Sequence, residues 1–161
     1  MTALHTGPMG EKETLLAYLA GQRESLLRKL DGLTDDQARS TPTASAFSLL
    51  GLINHVAAVE RRWIRAALGE VAEIPGVWPP SDRDAELDGS TRTIDEVRAF
   101  YAQVQEECAP VLDAFDDLDR VLAAGMTGRS VLVHLVEEVS RHAGHADIIR
   151  ESIDGATEPP D

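Results

Sequence analysis

Four stretches of this chain place Leu, Ile, Val and Phe at intervals of three and four residues, and no stretch alternates polar with apolar over a strand's length. Helix is therefore the regular element the sequence supports. A helix with one apolar stripe must bury that stripe against another element, and four such helices have one economical solution, an all-α four-helix bundle.

The first stretch carries Leu15, Leu16, Leu19, Leu26, Leu27 and Leu30 over about residues 11–31, with Gly32 as its stop. Thr34-Asp-Asp-Gln37 is a capping-box pattern and predicts a short helical turn before Pro42 loosens the chain. The second long helix starts after Ser48 as N-cap, runs through Leu49, Ile53, Val56, Val59, Trp63 and Leu68, and stops at Gly69. Residues 70–92, rich in Pro, Gly and Asp, read as a long irregular connection, either a crossover along the bundle or a lid, with Trp78 as its apolar anchor. A second capping box, Thr93-Ile-Asp-Glu96, starts the third helix, in which Pro110 predicts a kink. The fourth begins at Ser130 as N-cap and continues through Leu132, Leu135, Val139, Ala146 and Ile153 to Gly155. The resulting organisation is a flexible arm at 1–9, one bundle at 10–155 with the long connection between helices two and three, and a flexible tail at 156–161.

Charge narrows the partners. Fifteen Lys plus Arg against 28 Asp plus Glu give a net charge of −13, which offers a phosphate backbone no electrostatic footprint, so nucleic acid is not an expected partner. The chain opens with no basic-then-apolar signal and contains no apolar run of membrane-spanning length, so a cytoplasmic protein without a membrane partner is expected. Cys108 is the single cysteine, which excludes an intrachain disulfide; within a helical pattern it reads as a small buried hydrophobe.

Four of the five histidines lie in two of the helices, His55 in the second and His134, His142 and His145 in the fourth. At about 100° per residue and with Glu138 at zero, the core residues of helix four cluster near 60–100°, His142 falls near 40°, His145 near −20° and His134 near −40°. His142 points inward with Glu138 one turn before it on the shoulder, so the two can converge on one cation, and His55 borders the buried stripe of helix two. A carboxylate and imidazoles buried without a cation or hydrogen-bond partners are costly, which favours a metal site over an accidental cluster. A buried hydrogen-bond network without metal is the alternative from spacing alone. Arg141 and Glu137 read as solvated-face residues.

Ser48-Leu-Leu-Gly-Leu-Ile-Asn-His55 with Val59-Glu60-x-x-Trp63, and Glu137-Glu-x-x-Arg-His-x-Gly-His-x-Asp147-x-x-Arg150-Glu151, together with the first helix and its continuation, resemble the DinB-like superfamily of metal-binding bundles. More narrowly the chain is similar to the actinobacterial branch that includes mini-circle proteins and mycothiol S-transferases, over about residues 11–155. The resemblance implies three metal ligands, His55, Glu138 and His142. Glu at the first position of the last-helix pair is similar to the mycothiol-dependent maleylpyruvate isomerase branch. It implies that His145 is a pocket or outer-sphere residue, with Arg141 beside it, and that Gly144 permits close helix approach.

Two imidazoles and one carboxylate suit zinc with an open position, and also nickel, iron or manganese. The function implied is a metal-dependent transferase that activates a small, mycothiol-like thiol for attack on an electrophile, with Arg141, Arg150 or His145 steering substrate or relaying the proton. The alternative is a non-catalytic metal-binding bundle with a structural or stress-response role, which a fourth protein ligand such as His145 or His134 would favour. A homodimer fits such bundles, although no exposed apolar stripe demands it.

Overall fold

The computed structural model of the chain describes residues 9–70 and 83–157. The expectations for the N-terminal arm with His5, for Trp78 and for the last four residues lie outside them. Helix α1 spans Glu11–Arg28, α2 Asp35–Arg39, α3 Leu49–Arg61, α4 Arg83–Leu87, α5 Ile94–Ala114 and α6 Gly128–Asp154. With four long helices and no strand among the described residues, the chain is the all-α bundle expected. No helix among these residues is long and apolar enough to cross a membrane.

Local chemistry sets the ends. The Thr34 hydroxyl accepts from Gln37 N at 3.3 Å while the Gln37 side chain accepts from Thr34 N at 2.9 Å, and Thr93 and Glu96 repeat the exchange at 3.2 and 2.9 Å. Ser48 caps α3 by accepting from Gly51 N at 3.1 Å. The cap of α6 is Thr127, whose hydroxyl accepts from Ser130 N at 3.2 Å, and not Ser130 as its position before the apolar run had implied. Gly128 sits inside this first turn because the Phe115 ring lies where a Cβ would be, 2.1 Å from it. Gly155 ends α6 at φ 76°, and Gly32 turns the chain after α1 at φ 75°.

Two segments depart from expectation. The predicted second helix is α-helical only to Arg61; Arg62–Leu68 form a π-helical turn, closed where Gly69 N donates to Ile64 O at 2.9 Å. The connection read as irregular contains α4. The third helix holds Pro110 within its span and runs four residues beyond it to Ala114.

Around the core the order is α1, α6, α3, α5. Directions follow from paired residues. Glu11 meets Arg129 and Lys29 meets Asp147, so α1 and α6 run parallel. Lys12 bonds Asp113 O and Arg98 bonds Leu27 O, so α5 runs against α1. His55 faces His142 while Trp63 faces His134, which sets α3 against α6. Neighbours α3 and α5 therefore run parallel, and the chain leaving α3 has to return to its start before α5 can begin. Consistent with this, α4 lies against the first turns of α3, with Leu87 and Gly89 beside Gly51. The described part of the 70–92 connection, from Arg83 onward, thus sits at the start of α3, where a crossover has to arrive.

Leu19, Leu26, Leu50, Ile53, Val97, Val104, Leu135, Val139 and Ile149 are among the buried residues that fill the centre. Among the described residues, the most deeply buried charged group within this packing is Glu60. The Glu60 carboxylate, 1% exposed, accepts from Arg23 Nε at 2.8 Å and from the Tyr101 hydroxyl. Both of its oxygens are satisfied, so the buried charge is compensated rather than orphaned. Burial, then the neighbouring Glu60 charge, pushes the Tyr101 hydroxyl well above its usual range and the Cys108 thiol up to about 12. Cys108 is buried, as its helical position implied.

Candidate metal centre

Every residue of α3 from Leu49 to Glu60 is buried, and His55 among them is 4% exposed. Across from it, α6 offers Glu138 and His142 one turn apart, with side chains 15% and 13% exposed. The His142 Nε2 and Glu138 Oε1 atoms are 3.1 Å apart, and the His55 and His142 rings meet edge-on at 5.4 Å. One donor atom from each of the three residues lies within 4.8 Å of the others. Donors on a tetrahedral ion with bonds of about 2.1 Å are roughly 3.4 Å apart, so small side-chain rotations close the cluster on one cation.

The donors are in a suitable state. Burial lowers the pKa of His55, against the opposing hydrogen bond from Glu86, and burial lowers that of His142, against the opposing charge of Glu138. Both imidazoles are thereby biased toward the neutral form that carries a lone pair for a cation. His142 Nδ1 is buried with no hydrogen-bond partner among the described residues, so this ring's polar contact within the protein is the one it makes toward Glu138. A neutral nitrogen pair with one carboxylate is a borderline donor set that fits a divalent first-row ion.

The other predicted residues fall around this cluster. His145 lies outside it, with Nε2 3.2 Å from Ser45 Oγ and its ring edge-on to Phe47 at 5.5 Å. His134 packs against Trp63 with ring centroids 4.5 Å apart and the planes tilted by 60°. Arg141 is exposed, paired with Glu137, and its guanidinium lies 3.9 Å from the Glu138 carboxylate. Arg150 reaches away to the end of α1, donating to Lys29 O at 2.8 Å and Asp31 O at 2.9 Å. Gly144 does not serve close helix approach, because a Cβ added there would meet nothing within 4 Å.

Sequence reasoning missed Glu86. Its carboxylate lies 3.1 Å from His55 Nδ1 and takes both arms of Arg62. The signal available was the run Ala85-Glu86-Leu87, good helix formers between Pro80 and Gly89, but a turn-rich composition on either side hid it.

The described residues thus form a helical bundle in which two histidines and a glutamate face one space and could hold a metal ion. The chain belongs to the mycothiol-S-transferase family, a DinB-like family that it matches over residues 14–155. A crystal structure of a conserved protein from Enterococcus faecalis is similar at a TM-score of 0.73, covering 92% of this chain and 100% of that one. At 16% identity that likeness concerns the fold. No curated protein matches the chain.

Proposed function

We propose that the protein is a metal-dependent S-transferase in which His55, Glu138 and His142 hold a divalent cation, zinc first among zinc, nickel, iron and manganese. The observation that carries this reading is the three-donor cluster itself, in a chain of the mycothiol-S-transferase family. Three protein donors leave a tetrahedral ion one position for a substrate, whereas structural zinc sites use four. His145 and His134, the residues that would close the site, are engaged elsewhere, which disfavours a purely structural metal.

When bound, the cation supplies Lewis-acid character that lowers the pKa of a nearby thiol, so that a thiolate is present at neutral pH. The protein's own groups do the rest. His55 and His142 present neutral nitrogen, and Glu138 adds one negative charge, which leaves a net positive centre for an anionic sulfur. The three side chains are largely withdrawn from solvent, which strengthens each electrostatic contact. The thiol gives up its proton to solvent, and its sulfur then bonds to an electrophilic carbon as that carbon's bond to the leaving group breaks and the leaving group departs with the bonding pair. His145, with Ser45 and Phe47, walls the pocket, and Arg141 at the surface steers an anionic substrate. A mycothiol-like molecule is the thiol in this reading.

A conjugation assay tests it, with a panel of small thiols including mycothiol, a set of electrophiles, and His142→Ala beside the unaltered chain. The expected result is metal-dependent thiol consumption that His142→Ala abolishes. Absence of any consumption by the metal-loaded protein ends the transferase reading.

A further inference from the structure

We propose that Glu86 is a positioning residue for the metal centre: its carboxylate accepts the His55 Nδ1 proton, fixes the tautomer and ring orientation, and leaves Nε2 free for the cation. This rests on the reading of His55 as a ligand. An ionised carboxylate can only accept, so a His55 Nδ1 to Glu86 Oε2 contact of 3.1 Å requires the proton on Nδ1. A neutral imidazole has one proton, and Nε2 is then the nitrogen with the lone pair.

Glu86 is held in place by contacts of its own. Its side chain is 14% exposed, and Arg62 spans both its oxygens, so the carboxylate has a cationic partner independent of His55. The main chain of the same residue is held separately, since Asn54 Nδ2 donates to Glu86 O at 2.8 Å. Asn54 and His55, adjacent on α3, thus grip the backbone and the side chain of one residue. The short α4 can come this near because α3 offers Gly51 there. A Cβ at Gly51 would lie 1.9 Å from Leu87 O, and one at Gly89 would lie 2.5 Å from Gly51 N. The clasp places the carboxylate by backbone contact, not by a flexible side chain reaching across solvent. Carboxylate partners behind histidine ligands orient the ring and raise its basicity, and their loss weakens metal binding by about 10–100-fold.

The experiment uses Zn²⁺ alone, the full chain, and competition against a chromophoric chelator, with Glu86→Ala and Glu86→Gln. Metal-free chain labelled with ¹⁵N reports the His55 tautomer through long-range ¹⁵N–¹H couplings. In the unaltered chain the proton resides on Nδ1. Glu86→Ala moves it to Nε2 and weakens zinc about 10–100-fold, whereas Glu86→Gln, which keeps an acceptor oxygen, retains the tautomer and restores part of the affinity. A purely structural anchor would lower the melting temperature without moving the tautomer. Equal zinc affinity in Glu86→Ala and the unaltered chain, or a proton on Nε2 in the unaltered chain, overturns the inference alone. Failure of the unaltered chain to bind Zn²⁺ overturns the metal reading and this inference together.

Discussion

Glu138 is the one carboxylate beside two imidazoles in the proposed donor set, so its substitution is the most direct test of that set. Replacing it with Gln keeps the shape and removes the charge. Glu138→Gln is expected to weaken Zn²⁺ by more than about 100-fold, beyond the loss typical of an outer partner, measured by chelator competition. A second expectation concerns protons. Cys108 has its thiol raised from 9.0 to about 12, and Tyr101 is raised well above 10.0. Unfolding restores the ordinary values, so between pH 9 and 12 the unfolded chain holds fewer protons than the folded one. Stability is therefore complete below pH 9 and falls as pH rises through that range. Urea midpoints across pH 8–11 should decline, and Tyr101→Phe with Cys108→Ala should flatten the decline relative to their own starting stability.

Two helical glycines, Gly51 and Gly144, behave oppositely. At Gly51 an added methyl would collide with the Leu87 carbonyl, so Gly51→Ala is expected to destabilise by about 3 kcal/mol or more, at the upper end of overpacking. At Gly144 the space is open and the conformation helical, so Gly144→Ala is expected to stabilise by up to about 1 kcal/mol through helix propensity. Denaturant unfolding of the two variants checks both signs. These elements also show what was legible in the sequence. Helical periodicity located all four long helices, and the two capping boxes at Thr34 and Thr93 marked the starts of α2 and α5, because side-chain to backbone bonding within three residues is a local code. The angular position of His142 relative to Glu138 was likewise local. What stayed hidden depends on distant parts of the chain. The cap at Thr127 was assigned to Ser130 because both are hydroxyls near the helix start, and only the observed bond distinguishes them. The π-helical turn at Arg62–Leu68 has no composition of its own, and α4 with Glu86 takes its shape from Gly51 across the chain.

For the molecule as a whole, the core does not need the cation. A bundle of four long helices around a continuous apolar centre has its own driving force, unlike small metal domains whose folding is metal binding. Chelation is thus expected to abolish S-transfer while far-ultraviolet circular dichroism keeps its helical signal; collapse of that signal on metal removal would instead mark the ion as structural. The burial of Cys108 has a practical corollary. A chain whose single thiol is sequestered and protonated is silent to chromogenic disulfides under native conditions, so the loss of an added thiol can be followed directly, with no background from the protein itself. The same silence makes any cysteine engineered near the pocket mouth a unique attachment point for a reporter dye.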